Sequence, residues 1–256
     1  MELRHMPIIQ SVERALKILD LFDEYTSELK ITEISQQMNM NKSTVHSLLK
    51  TLQKHHYIQQ DEANGKYKLG LKLFERGNLA LLTLDIRSVA RKYLIELSRR
   101  TGHTLHLVVL DGKEGVYIDK IEGTSGPVRH SKIGRRAPIH STGVGKALAA
   151  FIPEEELNKL LIGYVFEKRT ENTILTQFDY LQELEKIREK GYAIDAEENE
   201  PGITCLAVPI RDMTRQVIAA FSISMPTPQM NEQSETIVSL MSEAGNKISK
   251  ELGFKS

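Results

Sequence analysis

The first forty positions show helical periodicity. Ser11 can cap a helix whose apolar residues recur at the i, i+3, i+4 and i+7 spacing of one buried face, namely Val12, Ala15, Leu16, Leu19 and Phe22. A second, short helix is predicted over 32–38. Asn41 is well placed to cap a third helix that runs to about Lys54. The pattern therefore predicts a helix, a short turn and another helix.

The third helix carries two stripes at helical spacing. One stripe is apolar (Val45, Leu48, Leu49, Leu52), and the other is polar (Ser43, His46, Ser47, Lys50), with Lys42 and Thr44 at its N-terminal end. Hydroxyls, an imidazole and cations can reach phosphates and base edges in a major groove. For a helix taken alone, a solvated outer face is the commoner interpretation. The segment that follows changes this balance.

A strand-like hairpin follows the third helix directly. Segments 57–60 and 66–69 alternate in polarity around Asp61-Glu62-Ala63-Asn64-Gly65, and an Asn-Gly pair favours a tight hairpin. Lys66 and Lys68 share one face of this wing. Across 42–68, five lysines (Lys42, Lys50, Lys54, Lys66, Lys68) stand against two acidic residues (Asp61, Glu62). A local basic patch on a winged helix-turn-helix favours DNA binding.

Composition limits the other classes. The chain has 256 residues, enough for two domains, and 34 basic residues balance 34 acidic ones, so a DNA-binding surface must be local. Cys205 is the only cysteine, which excludes an intrachain disulfide and a Cys-only zinc cluster. We find neither the apolar stretch of a signal peptide nor an apolar window of membrane-spanning length. We therefore expect a soluble cytoplasmic protein with no membrane partner.

After Gly70 the chain is rich in leucine, which predicts a connecting helix over 71–84. Its run Leu79-Ala80-Leu81-Leu82 is too apolar for a solvent-bathed connector, so this helix packs either on its own chain or on a second copy. Beyond it, 106–110 pairs with 116–121 and 205–210 with 217–225 in antiparallel hairpins. One helix ends at Gly191 and another spans 232–252. This pattern indicates a mixed sheet-and-helix domain without a Rossmann sheet.

The sequence resembles the IclR family of regulators over nearly its whole length. VERALKILDLF, ITEISQQMNMNKSTVHSLLKTLQKHHYI and GKYKLGLKLFERG resemble the family's DNA-binding domain, and NKSTVHSLLKTL is the most specific stretch. LHLVVLDGKEGVYIDKIEG, KIGRRAPIHSTGVGKALAAF, GYAIDAEENEPGITCLAVPI and AAFSISMP resemble its second domain. The resemblance implies an α+β chain: a winged helix-turn-helix at 1–70, a linker helix at 71–84, and a GAF-like α/β effector-binding domain with a mainly antiparallel sheet at 85–256.

The resemblance also implies a function. We expect a transcription regulator, a repressor of a metabolic operon, that binds double-stranded operator DNA as a homodimer or tetramer. The DNA-binding residues it implies lie on the third helix (Lys42, Ser43, Thr44, His46, Ser47), while Lys50 is expected at a phosphate and Lys66 and Lys68 on the wing. Thr44 lies near the apolar stripe and is the weakest member of this set.

The effector implied by the resemblance is a small organic acid or aromatic metabolite. The binding residues carried over are Gly143, Val144, Asp195, Ile203, Cys205, Ser222 and Ser224, and Arg129 and Ala137 fall on more variable pocket positions. The residues themselves support part of this. Ser141-Thr142-Gly143-Val144-Gly145 leads into a helix whose first N–H groups lack partners and could hold a carboxylate. The alternating hydroxyls of Ser222 and Ser224 share one strand face, although they could equally satisfy nearby backbone.

Enzyme classes fit the sequence less well. Gly143-Val144-Gly145-Lys146 departs from a phosphate-binding loop, because His140 stands where glycine is required and Ala147 where Ser or Thr is required. Cys205 lies in a strand-like run, where cysteines are more often core residues. The acidic residues of 195–200 lack compact metal-ligand spacing. We therefore expect no catalysis and no cofactor, and a metal site is the minor alternative. A protein-interaction adaptor remains the alternative, which the free polar stripe disfavours.

Overall fold

A computed structural model describes residues 8–23, 25–82, 85–124 and 131–255, without the side chains of 80–82 and 85. The chain divides into two compact units, Met1–Thr83 and Leu84–Ser256. The first unit contains α1 (Gln10–Leu19), α2 (Ile31–Gln37), α3 (Lys42–Lys54), β1 (Ile58–Gln60), β2 (Tyr67–Leu69) and α4 (Leu71–Leu82). The predicted helix-turn-helix and hairpin are confirmed.

The core of the first unit lies between α2, α3 and the end of α1. Ile18, Ile34, Val45 and Leu49 are fully buried in one cluster. The predicted buried face of the first helix is confirmed at Leu19 and Phe22, which join this core, but it is wrong at Val12 and Leu16, which are 54% and 56% exposed. Only the last turn of this helix reaches the core. The predicted cap is wrong too, since α1 begins at Gln10 and no side chain caps it.

The wing closes through a loop rather than a tight turn. Asp61 Oδ1 accepts hydrogen bonds from the amides of Ala63 (2.8 Å) and Asn64 (3.2 Å), and Gly65 takes a left-handed φ of 68°. Leu29 adds a bridge to Tyr67, with N–H···O distances of 3.0 and 2.7 Å. The hairpin is therefore joined to the unit from its other edge as well.

Gly70 ends the wing in a place that only glycine fits. Its amide donates to the carbonyl oxygen of Tyr57 at 2.8 Å. A Cβ atom at this position would lie 2.1 Å from the carbonyl oxygen of His56. The start of α4 is therefore held against the end of α3 by direct backbone contact.

The second unit is built on one six-stranded sheet. Its elements are α5 (Asp85–Thr101), β3 (Thr104–Asp111), β4 (Glu114–Ile121), β5 (Arg136–Pro138), α6 (Gly143–Ala149), α7 (Glu154–Leu161), α8 (Gln177–Lys190), β6 (Ala193–Ala196), β7 (Ile203–Arg211), β8 (Val217–Pro226) and α9 (Thr227–Glu251). The strand order is β5-β4-β3-β8-β7-β6, and every neighbouring pair is antiparallel. The predicted antiparallel sheet is confirmed.

Helices cover both faces of this sheet. The helices α5 and α9 pack against it, and α6 packs against β7 and β8 from the opposite side. The side chains alternate accordingly: Leu105, Leu206 and Ile223 form one apolar cross-strand row, while the adjacent rows face α6. Gly191 ends α8 with φ 79°, as predicted. None of the described helices combines the length and apolarity needed to cross a membrane.

Candidate functional site

The outer face of α3 is free in the first unit. All six residues predicted to meet DNA from this helix are exposed, including Thr44: Lys42, Ser43, Thr44, His46, Ser47 and Lys50. Val45 and Leu49 on the opposite side are fully buried. The helix is thus anchored by one stripe and presents the other, which is the geometry needed to enter a groove.

One hydrogen bond limits what this stripe can do. The Ser47 hydroxyl donates to the carbonyl oxygen of Ser43 at 3.1 Å. With its proton used inside the helix, the Ser47 oxygen can still accept from a base amino group. Within the described residues, the His46 side chain makes no hydrogen bond to the helix backbone. Its ring nitrogens remain available to contact DNA.

The two wing lysines are not equivalent. Lys68 lies in β2 opposite Gln59. Lys66 precedes the strand, and its Nζ lies 3.8 Å from a carboxylate oxygen of Glu28. The charge count over 42–68 missed Glu28 because this residue reaches the wing only through the bridge at Leu29. Part of the Lys66 charge is therefore already balanced.

A pocket opens between α6 and the sheet of the second unit. Its volume is about 470 Å³ when measured to its open mouth. The lining residues are His106, Tyr117, Ser131, Thr142, Gly143, Val144, Asp195, Asn199, Glu200, Ile203, Cys205, Ser222 and Ser224. Strand pairing explains this set, because Ser222 pairs with His106, and Ser224 and Asp195 each pair with Cys205.

A bulge turns Tyr117 into the pocket. The register shifts between Leu107 and Val108, so that Val108 pairs with Tyr117 and Ile118 is left as the extra residue. Without this shift Tyr117 would face the other side of the sheet. Its ring instead meets the His106 ring edge-on, with 5.4 Å between centroids.

The start of α6 approaches the sheet closely. Thr142 caps the helix, because its Oγ1 accepts from the Gly145 amide at 3.0 Å. Among the described residues, the amides of Gly143 and Val144 meet no acceptor. A Cβ on Gly143 would lie 3.4 Å from both Ala207 Cβ and the Cys205 carbonyl oxygen. Two backbone donors are therefore held at the pocket wall.

Asp195 supplies a carboxyl group that can change its charge. Its Oδ1 accepts from the amides of Glu198 (2.7 Å) and Asn199 (3.2 Å). Burial, followed by repulsion from Glu198, raises the pKa of Asp195 to about 7, against the opposing attraction of Lys146. The carboxyl group is thus poised between its neutral and charged forms near neutral pH.

Lys146 lies beneath the pocket and is fully buried. Its Nζ donates to the Ile194 carbonyl oxygen at 2.6 Å and to Glu198 Oε1, and Glu183 lies 3.8 Å away. Burial raises the pKa of Glu198, while Lys146 lowers it. Lys146 therefore has a structural role, because its ammonium group is used in contacts with Ile194 and Glu198.

Three further titratable groups of the pocket, His106, Tyr117 and Cys205, are held in their neutral forms. His106 Nε2 lies 2.6 Å from Ser131 Oγ, and burial lowers the pKa of His106 to about 3. Burial raises the pKa of Tyr117 and of Cys205, whose Sγ lies 3.1 Å from Ser224 Oγ. The inner pocket thus places these neutral hydrogen-bonding groups beside the Asp195 carboxyl, and Glu200 also lines it.

A second, outer cavity of about 920 Å³ continues from this pocket and shares Tyr117, Thr142, Asn199 and Glu200 with it. Ala137 lines this outer cavity and not the inner pocket. Three arginines stand there as well: Arg135, Arg136 and Arg169. Arg129 lies outside the described residues. Arg136 is paired with Asp111 and Glu114, and Arg169 with Glu167, so the charge of these two arginines is balanced by nearby carboxylates.

Comparison with known proteins decides the family. Residues 11–62 match the IclR helix-turn-helix domain, and residues 78–250 match the bacterial transcriptional regulator IclR C-terminal domain. The chain belongs to the IclR family. It is a DNA-binding transcriptional regulator of the IclR type, as the sequence resemblance implied.

Individual IclR-family relatives match almost end to end. The HTH-type transcriptional regulator XynR of Escherichia coli is 51% identical over 250 residues, covering 97% of this chain and 99% of the relative. The regulator KdgR of the same species is 40% identical over 247 residues, covering 96% and 94%. The crystal structure of Thermotoga maritima IclR matches with a TM-score of 0.78 and 35% identity, covering 96% and 99%.

The fold brings together most of the effector residues expected of an IclR regulator. The seven residues Gly143, Val144, Asp195, Ile203, Cys205, Ser222 and Ser224 all line the inner pocket. Sequence reasoning missed His106, Tyr117, Ser131, Thr142, Asn199 and Glu200, which line it too. A polar residue in the apolar run 105–110 was the one available signal for His106. Within the described ranges, no three His, Cys, Asp or Glu side chains are grouped to hold a metal ion.

Proposed function

We propose that this IclR-type regulator is a repressor of a metabolic operon that reads duplex operator DNA with the outer stripe of α3 and the wing. The observation that carries the proposal is the complete exposure of that stripe above a fully buried Val45 and Leu49. Lys42, Ser43, Thr44, His46 and Ser47 would enter the major groove, and Lys50, Lys66 and Lys68 would contact the phosphate backbone.

A small organic acid or an aromatic metabolite in the inner pocket would control DNA binding. A concave pocket that combines backbone donors, hydroxyl groups and an apolar side chain suits such a molecule. Gly143 and Val144 would donate backbone N–H groups, Asp195, Cys205, Ser222 and Ser224 would supply polar contacts, and Ile203 an apolar one. Ala137 would contribute from the outer cavity, and Arg129 is retained as an effector residue on the family resemblance alone. One solved IclR homologue, from Microbacterium hydrocarbonoxydans, is complexed with 4-hydroxybenzoate.

The protein would assemble into a homodimer or tetramer, and the exposed apolar side chains of the first unit support this proposal. Ile8, Ile9, Val12 and Leu16 on and before α1 are each more than half exposed, as are Leu71, Phe74 and Leu79 on α4. Apolar surface of this extent on helices is typical of a contact with another chain. A two-fold axis would place paired α3 helices on a pseudo-palindromic operator.

The domain organisation we propose is a DNA-binding domain at 1–70, a linker helix at 71–84 and an effector-binding domain at 85–256. The protein would act in the cytoplasm, without catalysis and without a membrane partner. Its conformational equilibrium would be shifted by the effector through a difference in affinity between DNA-bound and free forms.

A two-stage experiment on the full chain tests this function. Small organic acids and aromatic metabolites are first screened for a rise in thermal unfolding temperature. Each hit is then titrated against the protein bound to its operator fragment, with fluorescence anisotropy as the readout. We expect one chemical class to raise stability and to release DNA. Tight operator binding that no stabilising metabolite alters would refute the pocket's regulatory role while leaving the DNA-binding role intact.

A further inference from the structure

A separate cleft lies at the far end of β7. It encloses about 810 Å³ when measured to its open mouth and shares no lining residue with the pocket beside α6. Its walls come from the end of α8, the last residues of β7, the face of α9 and the chain after α9. The cleft is therefore a second concave surface in the same unit.

The cleft exists because β6 is shorter than β7. Pairing between them begins at Ala193 and Ala207, so β7 continues past its neighbour. Backbone N–H groups of alternate residues point to the same side of a strand. On that side Pro209 has no N–H, and the Arg211 amide donates to Ser249 Oγ of α9 at 3.0 Å. The strand edge is satisfied without another strand, which leaves an opening between α8 and α9.

Positive charge surrounds this opening. Arg188, Lys190 and Arg211 line the cleft, and none of its lining residues is acidic. Within the described part of the chain, none of the three forms an ion pair with a carboxylate. Arg188 donates through Nε to the Ala150 carbonyl oxygen, and Arg211 donates to the Arg215 carbonyl oxygen at 3.1 Å. Both guanidinium groups are held in place and retain unused donors.

Arg211 is the least expected of these cations. Its guanidinium carbon lies over the Phe151 ring, 4.4 Å from the ring centre, which is within cation–π distance. Partial burial lowers the pKa of Arg211, so desolvation of the charge is not offset by an acidic neighbour. Arg188 and Lys190 end α8, where cations stabilise the helix terminus. That explanation does not extend to Arg211, which lies on a strand.

The apolar walls complement this charge. Phe151 and Phe254 line the cleft together with Val208 and Pro209. A cleft lined by aromatic side chains and by three cations suits an anion that carries an apolar body. We propose that the cleft is a second ligand site, in which Arg188, Lys190 and Arg211 bind the carboxylate or phosphate group of a small metabolite whose apolar part contacts Phe151 and Phe254.

Calorimetric titration of the full-length protein tests this site with three probes: benzoate, inorganic phosphate and the neutral benzamide. The variants are Arg188→Gln/Arg211→Gln and the milder Lys190→Gln. The matched control is Lys159→Gln/Lys168→Gln, which removes two charges from exposed ion pairs outside the cleft. Thermal unfolding checks that each variant is folded. If Arg188→Gln/Arg211→Gln does not fold, the affinity of Lys190→Gln is compared with that of the control instead.

We expect benzoate or phosphate to bind the parent, and affinity to fall at least tenfold in Arg188→Gln/Arg211→Gln but not in the control. Benzamide should not bind the cleft. Binding of benzoate alone would identify a carboxylate ligand, and binding of phosphate alone a phosphorylated one. The proposal is overturned if neither anion binds the parent, or if variant and control have equal affinity. A change in the variant's oligomeric mass with unchanged anion binding would also overturn it, by assigning the cleft to a contact between copies.

Discussion

The Oδ1 atom of Asp195 accepts a hydrogen bond from the amide of Glu198 at 2.7 Å, and the Glu198 carboxylate is in turn bound by Lys146. A pocket carboxyl is thus fixed in direction while its charge remains free to change. The hydrogen bond from the Glu198 amide favours the charged form of Asp195. Burial and repulsion from Glu198 outweigh this hydrogen bond and raise the pKa of Asp195 to about 7. The protonation state of Asp195 therefore changes near neutral pH.

An acidic effector should accordingly bind more tightly at lower pH. As pH falls from 8 to 6, Asp195 gains its proton and ceases to repel the anion, whereas His106, with its pKa near 3, and Cys205, with a raised pKa, stay neutral. Affinity should rise by about tenfold over this interval. Calorimetric titration at pH 6, 7 and 8 measures it.

The Asp195→Asn variant is the control for this pH dependence, because it keeps the size and removes the titration. Its affinity for an acidic effector should vary little between pH 6 and 8. An unchanged pH slope in the variant would assign the titration to another group.

The stripe on α3 predicts a loss of operator affinity on truncation. His46→Ala should weaken binding by about 1–3 kcal/mol if the imidazole contacts a base edge. Ser47→Ala should cost less, because the Ser47 proton is already donated to Ser43. Fluorescence anisotropy with the operator fragment measures both. Gln233→Ala, an exposed position in the second unit, should match the parent. Parent-like affinity of His46→Ala would mean that another face of the helix meets DNA.

The ion pair between Lys66 and Glu28 predicts an asymmetry in the wing. Lys68→Gln should reduce the slope of log affinity against log salt by about 0.9 if Lys68 contacts one phosphate. Lys66→Gln should have a smaller effect, because Glu28 lies 3.8 Å from its charge. Glu28→Gln should strengthen binding to all duplexes alike. Salt titrations of the three variants decide this, and a weakened Glu28→Gln variant would contradict it.

The two glycines at the start of α6 should respond differently to alanine. A Cβ on Gly145 would lie 2.4 Å from the Pro138 carbonyl oxygen, so Gly145→Ala should lower the free energy of unfolding by about 1–3 kcal/mol. Gly143→Ala meets its neighbours at 3.4 Å and should remain folded while narrowing the pocket. Chemical denaturation separates the two. Effector affinity of Gly143→Ala equal to that of the parent would remove Gly143 from the binding site.

The exposed apolar side of α1 predicts a loss of assembly on charge insertion. Leu16→Asp should shift the protein towards monomer, because a carboxylate in an apolar contact is strongly disfavoured. Met213→Asp places the same charge at another exposed apolar position, in the second unit, and should leave the mass unchanged. Light scattering coupled to size exclusion measures both masses. Identical masses for parent and Leu16→Asp would exclude α1 from the contact.

Local periodicity was sufficient to predict α3, because Val45 and Leu49 repeat at a spacing that only a helix buries on one side. It failed in part for α1, where Val12 and Leu16 of the predicted face are exposed, while Ile18, which lies outside that face, is buried in the core shared with α3. The amphipathic pattern of a helix does not show whether its apolar face packs in the core of its own domain or contacts another chain.

The pocket shows the same limit at longer range. Ser222 and Ser224 could be placed on one face because strand alternation is local. His106 and Tyr117 could not be added, because their position depends on pairing with β8 and on the bulge at Ile118. The Lys66–Glu28 contact likewise requires a bridge between residues 38 positions apart in sequence, Leu29 and Tyr67. Register, unlike periodicity, is set by the whole sheet.

The backbone contact at Gly70 has a practical consequence for protein engineering. A chimera that exchanges the DNA-binding module for another must choose a crossover point, and one placed before Gly70 would replace the residue whose amide bonds to Tyr57. Any side chain there would collide with the His56 carbonyl oxygen. A junction at or after Leu71 transfers the DNA-binding module together with the backbone contact between Gly70 and Tyr57. Operator preference can then be exchanged by moving one continuous segment.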